Sequence, residues 1–474
     1  MRSMALHGPR WLIGAGALLA AAAANVLIGW GAAVGQKPLL LALGVGLLPA
    51  LLIGFGALVE SHRATLAWAA LALNLTGIPI FSEPLPLPGG AKVFPTDVLL
   101  LLAVGAWLAS RLSGIRARHP VRLSVVFGWP LALFAVAVTS GVLIGNERYG
   151  VSIIGQPLRV ALYAGIALAL TDVSVAAAWR AITVLFYAGA VVQSLWAAYY
   201  VATGTSQTES ASLSTGGVRV LALSVAIYLT GSLVCALLNL ELERRPGRQL
   251  AHLSVACLAL FGIVVSFGRT TYAAVVLIVP LLLLTRRYLR RTVLVLLPLL
   301  LPVLAVAVIA TLTVQPTILP TLSARLSGTS TDDSALVWRE RARAAVLEGV
   351  DEDWLTGVGF ARVSSFEMNG QVIRIAGDPH NSYLFLLAGG GVLALGSFLL
   401  LCGTFVIDAL RRLHSTSPEG QALIVWSLAT WLAFMVNALT GPIFSDPEMI
   451  MTIWVLIALP SIVSASARAP GQPR

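Results

Sequence analysis

Apolar runs of about twenty residues recur along the whole chain, and no other feature limits its fold so tightly. A run of that length crosses the hydrocarbon of a bilayer as one helix. Such runs start near Trp11, Leu39, Ala64, Asp97, Leu123, Val160, Ala181, Val220, Ala251, Thr271, Val293, Ser382, Ala422 and Met449. Only 11% of the 474 residues are charged, whereas a soluble domain carries roughly 25% and needs them on its surface. The expected fold is an all-α polytopic membrane protein of about 12–14 transmembrane helices, with no room for a large soluble domain. The first run, behind Arg2 and Arg10, continues to about Trp30. That is too long for a signal-peptide core, so it reads as an uncleaved span.

The formal net charge of +10 would suggest nucleic acid in a soluble chain. In a membrane chain, basic residues first set orientation, so no nucleic-acid partner is expected. With the N-terminus in the cytoplasm and the spans alternating, the inner loops collect Arg111, Arg116, Arg118, Arg122, Arg244, Arg245, Arg248, Arg286, Arg287, Arg290, Arg291, Arg411 and Arg412. Both termini then lie in the cytoplasm. Cys235, Cys257 and Cys402 all sit in apolar runs without ligand or disulfide spacing. The spans near Val160 and Ser382 begin beside polar residues and are expected to be bent or short.

Three regions follow: spans one to eleven over residues 1–312, a long outer segment over 313–380, and the last three spans with a cytoplasmic tail over 381–474. Within the outer segment Asp332, Asp333 or Ser334 can cap a helix starting near Ala335. Trp338, Ala342, Ala345 and Val346 share one face of it, so the helix is amphipathic and should rest on the outer mouth of the bundle. A turn is expected at Gly357 and Gly359.

A few arginines break the inside bias. Arg148 and Arg159 lie at the sixth span, Arg219 opens the eighth, Arg269 sits between the ninth and tenth, and Arg339, Arg341 and Arg343 lie on the outer helix. Each by itself can be satisfied by snorkelling or by an outer carboxylate such as Asp97, Glu147 or Glu340. As a set on one membrane face they fit an anion site, because guanidinium forks match phosphate oxygens. Arg339 and Arg343 are four apart and project together, whereas Arg341 points elsewhere, toward solvent.

Histidine makes a second selection. Of the six, only His380 falls outside on this topology, within Asp378-Pro379-His380-Asn381-Ser382-Tyr383. An imidazole there can cap or pack a helix start, or serve as a general base. Outer arginines nearby favour the second role. No metal-binding motif and no Walker loop is present, so neither metal nor cofactor is expected and the energy of any reaction must reside in the substrate. An activated donor with a phosphate leaving group fits that requirement.

The segment DPHNSYLFLLAGGGVLAL, Asp378 to Leu395, preceded by Trp338-Arg339 and by Leu355-Thr356-Gly357-Val358-Gly359-Phe360, resembles the bacterial O-antigen ligase and polymerase family. Ser266-Phe267-Gly268-Arg269 and Gly216-Gly217-Val218-Arg219 add to the resemblance, which covers mainly Arg219 to about Leu400. It implies a GT-C-like glycosyltransferase of the bacterial inner membrane, working on the periplasmic side without a metal and with inversion. The donor would be a glycan on undecaprenyl diphosphate, and the acceptor a saccharide such as lipid A core, with membrane lipids around both. Carried over by position, His380 would activate the acceptor hydroxyl, Arg219 and Arg269 would bind the donor diphosphate, and Arg339 matches the arginine of the outer-loop helix. Arg159, Arg343 and Asn381 are supporting candidates on local geometry. Phe267-Gly268 departs from the small or polar pair common in the family. A ligase, a polymerase joining lipid-linked repeat units, and a polysaccharide-lipid transporter or flippase all remain open readings. A transporter would place its charges near the bilayer midplane in inverted repeats, whereas these cluster at one face.

Overall fold

The computed structural model describes residues 85–86, 92–93, 95–112, 124–149, 155–170, 173–203, 221–266, 268–286, 289–290, 294, 334–351, 353–360, 362–368, 370–376, 380–414 and 416–466. The runs beginning at Trp11, Leu39, Ala64 and Val293, the caps at Asp332 and Asp333, and Arg219 lie outside them. The described elements are β1 (Leu85–Pro86), β2 (Lys92–Val93), α1 (Pro95–Leu112), α2 (Trp129–Tyr149), α3 (Gly155–Leu162), α4 (Ile166–Ala169), α5 (Val175–Thr203), α6 (Leu223–Leu242), α7 (Pro246–Val265) and α8 (Arg269–Thr285). After them come α9 (Ser334–Val350), β3 (Val363–Met368), β4 (Gln371–Ala376), α10 (Ser382–Leu413), α11 (Pro418–Ala438) and α12 (Pro447–Ser466). Among the described residues six helices are long and apolar enough to cross a membrane: α2 with its preceding turn, α5, α6, α7, α10 and α11. The chain is an all-α, multi-pass membrane protein.

Helices apolar on every face belong at the centre of a bundle. Two meet that description: α6 is buried from Val225 to Leu240, and α12 from Met449 to Val463. They are tied by the Tyr228 hydroxyl and Thr452 Oγ1, 2.9 Å apart. Trp426 of α11 donates its indole N–H to the Gly231 carbonyl of α6 at 2.9 Å. By contrast α5 exposes Val184, Val191, Leu195 and Trp196, a face suited to lipid.

Backbone groups freed by helix breaks must find partners where water is scarce. The span near Val160 is short, as expected, and tightens into a 3-10 turn at Tyr163–Gly165; the Val160 carbonyl takes the Trp454 indole N–H at 2.6 Å. Pro460 lies inside α12 and has no N–H to give to Leu456. The Ser427 hydroxyl of α11 bonds that carbonyl instead.

The expected bend in the span from Ser382 is a sharp break. Gly391 has φ 65° and ψ −165° inside α10, a combination open essentially to glycine alone. The helix folds back there. The Tyr383 and Phe398 rings lie 6.5 Å apart, although fifteen residues of straight helix measure about 22 Å. The polar start of the run is not the cause of the bend; the cause is Gly391 together with the loop that occupies the break. That loop is the expected turn after α9. Ala388 would normally accept from Val392, but its carbonyl takes the Val358 N–H at 2.9 Å. Val392 N–H donates instead to the Trp354 carbonyl at 2.9 Å, and Leu393 N–H to the Leu355 carbonyl at 3.2 Å. Phe360 follows, its ring 5.0 Å from that of Phe385 and laid over Gly389, where a Cβ would sit 2.0 Å from it.

The second half of α10 pairs antiparallel with α2 along its length. Phe134 meets Phe398 at 5.6 Å between ring centroids, and Ser124 Oγ bonds Asp408 Oδ2 at 2.5 Å. Asp408 also holds Arg412 at 3.0 Å, and Arg412 Nη1 donates to the Pro460 carbonyl at 3.1 Å. This part-buried cluster joins α2, α10 and α12 at the end of the bundle away from His380.

Beyond α9 the chain forms an antiparallel hairpin, β3 with β4, in register from Val363 with Ala376 to Met368 with Gln371. The sequence reading passed over it. The signal was the Asn369-Gly370 pair between alternating residues, which favours a two-residue hairpin turn.

Candidate active site

The break at Gly391 leaves a short half-helix, Ser382 to Gly390, whose first residues are fixed on every side. Asn381 Oδ1 accepts from the N–H groups of Tyr383 and Leu384, both at 3.1 Å, so Asn381 is its N-cap. Ser382 is fully buried; its hydroxyl donates to the Gly441 carbonyl at 3.0 Å and accepts from the Phe444 N–H at 3.3 Å. The Tyr383 hydroxyl donates to the Met435 carbonyl at 3.0 Å.

His380 is held just before that cap. Its φ of 55° is the described residues' single positive value outside glycine, a left-handed conformation costing roughly 1–2 kcal/mol. Its ring is exposed and meets Trp338 of α9 edge-on, with centroids 5.2 Å apart. Trp338 also packs on Phe366 of the hairpin at 5.9 Å. The outer segment and the start of α10 therefore meet at His380.

Arg339 follows Trp338 directly, and Arg343 lies one turn further along α9. Arg343 Nη2 donates to the Leu439 carbonyl at 3.0 Å. Arg341 is exposed and bonds the Glu367 carbonyl of the hairpin, so it projects away from that pair as expected. The inner face of α9 is Ala342, Val346 and Val350, all buried.

Arg269 opens α8 and is part-buried. The Ser266 hydroxyl accepts from the Gly268 N–H at 3.3 Å, tying the end of α7 to the start of α8. The two residues after Arg269 pin it to α11. Thr271 Oγ1 donates to Asn437 Oδ1 at 3.2 Å, both residues being fully buried, and Thr440 Oγ1 bonds Thr270 Oγ1 at 3.2 Å.

Asn437 to Gly441 thus receives three elements: α8 through Thr270 and Thr271, α9 through Arg343, and the half-helix through Ser382. It brings Arg269, the arginines of α9 and His380 to one end of the bundle. Sequence reasoning missed this turn. Its signal was Asn437, an amide inside an apolar run, where a polar side chain is costly unless it is bonded.

Arg159 has a different setting. It is ion-paired with Asp97 at 3.1 Å, both side chains 15% exposed, and Tyr163 shares the same carboxylate. Pairing with an outer carboxylate was one of its two readings, and the geometry has that form. Its helix α3 still packs on the Ile443–Ser445 turn beside Phe444. Arg148, at the end of α2, pairs with Asp353 at 2.8 Å and fastens the loop that enters the α10 break.

Residues 254–399 match the family model described as O-antigen ligase. Over that segment the chain is similar to the O-antigen ligase family. The matched segment runs from α7 past the α10 break. It contains Arg269, Arg339, Arg343, His380 and Asn381, and excludes Arg159 and Arg219. No match is found among curated proteins.

Proposed function

We propose that this protein is an O-antigen ligase-type glycosyltransferase. It moves a glycan from undecaprenyl diphosphate to an acceptor sugar, such as that of lipid A core, on the outer side of the cytoplasmic membrane. The observation that carries this reading is the contact of His380 with Trp338. It seats the outer histidine against the helix bearing Arg339 and Arg343, at the end of the bundle where Arg269 begins α8.

Orientation follows from the opposite end. The basic ends of α8 (Arg286) and α10 (Arg411 and Arg412) lie away from His380, and basic ends favour the cytoplasm. This charge distribution supports a periplasmic setting for His380. In the reaction, the acceptor hydroxyl oxygen attacks the anomeric carbon as the bond to the diphosphate oxygen breaks, with inversion. His380 takes the hydroxyl proton. Arg219, Arg269 and Arg339 stabilise the charge gathering on the departing diphosphate, as fixed cations do best in a water-poor site. Arg343 and Asn381 hold the framework, through the Leu439 carbonyl and the N-cap, and Arg159 supports from its pair with Asp97.

Incubating the purified protein with a lipid-linked glycan, lipid A core and a second lipid-linked unit tests the reading. Glycan on the core is the expected product. Lengthened lipid-linked glycan would make the protein a polymerase, and movement of intact donor across vesicles with no transfer would make it a transporter.

A further inference from the structure

We infer that Trp354 and Leu355 are a membrane anchor, inserting the outer segment into the lipid of the outer leaflet at the level of the α10 break. The proposal stands apart from the catalytic reading. After the break, α10 runs from Val392 to Arg411, about 29 Å at 1.5 Å per residue. That length alone spans a hydrocarbon core of about 30 Å. With Arg411 and Arg412 at its inner end, its first residues lie at the outer boundary.

Trp354 sits at that level, because its carbonyl accepts from Val392 N–H, and Leu355 does the same for Leu393. All four side chains are exposed, Trp354 by 60%. Val392 and Leu393 share a helix face with Leu399 and Leu400, seven residues on and also exposed, so Trp354 and Leu355 are bonded to the end of the lipid-facing side of this span. The occupant of that face is lipid, since it is the outer surface of a membrane-crossing helix. A tryptophan at the end of such a face is where indoles concentrate at bilayer boundaries. The irregular backbone at Gly357 to Phe360 is tolerated there because its groups bond α10 and α2 and do not face lipid.

Lipid at Trp354 consequently adds to the protein contacts that hold this segment, among them Trp338 with His380 and Arg343 with the Leu439 carbonyl. The test is fluorescence of the full chain in phospholipid vesicles whose acyl chains carry bromine near the headgroup or near the terminal methyl. The twelve tryptophans give a quenched fraction, and Trp354→Phe should lower the part quenched by shallow bromines. Leu355→Trp in that background should restore it. Equal quenching in wild type and Trp354→Phe would overturn the anchor, as would a spin label at position 354 more accessible to a water-soluble relaxant than to oxygen. Neither result would touch the catalytic reading, which transfer assays measure.

Discussion

At Gly391 the backbone conformation admits no side chain, and a Cβ would stand 2.2 Å from the Leu355 carbonyl oxygen. Gly391→Ala must therefore either straighten α10 or expel the loop, and loss of folded protein is the expected outcome in thermal unfolding in detergent. Asn437 is a milder case. Asn437→Ala leaves Thr271 Oγ1, fully buried, without its acceptor, a cost of about 1–3 kcal/mol. A melting temperature equal to that of wild type would show that the pair contributes nothing. Arg269 makes a functional prediction on the same scaffold: Arg269→Ala should weaken binding of a lipid diphosphate while the fold, measured by its melting temperature, is kept.

Elements show where the sequence was legible and where it was not. Span positions could be read because apolar length is a local property; the runs read from Asp97, Ala181, Val220, Ala251, Thr271, Ser382, Ala422 and Met449 all fall on helices. The inner face of α9 was legible from spacing for the same reason. The fold-back of α10 was not, because Gly389-Gly390-Gly391 permits a break without saying what fills it. The filler is a loop some thirty residues earlier, supplying carbonyls of Trp354 and Leu355 and the N–H of Val358. His380 and the outer arginines stood out as exceptions to sidedness, but the Asn437 to Gly441 turn that gathers their elements depends on long-range pairing that no local pattern encodes. In α12 the pairing of Ser427 with the carbonyl orphaned by Pro460 gives a testable coupling. Ser427→Ala alone should cost about 1 kcal/mol, and less in a Pro460→Ala background, where the helix supplies its own N–H. Additive effects in that double-mutant cycle would refute the substitution of one bond for the other.

For the whole molecule, the bundle is fastened differently at its two ends. Away from His380, Ser124, Asp408, Arg412 and the Pro460 carbonyl lock α2, α10 and α12 through charge and hydrogen bonds. At the His380 end, three elements converge on one turn and the loop after α9 is threaded into a broken helix, so the described part of the outer segment, from Ser334 on, is a built part of the mouth. Such an arrangement suits a reaction needing a fixed base and fixed cations with an exposed approach for a large sugar. The most direct measurement is transfer of glycan from a lipid-linked donor by purified His380→Ala, followed beside donor binding. The account predicts that transfer is lost by at least a hundredfold, the scale of a general base, while donor binding and melting temperature stay at wild-type values. Transfer at the wild-type rate would contradict it.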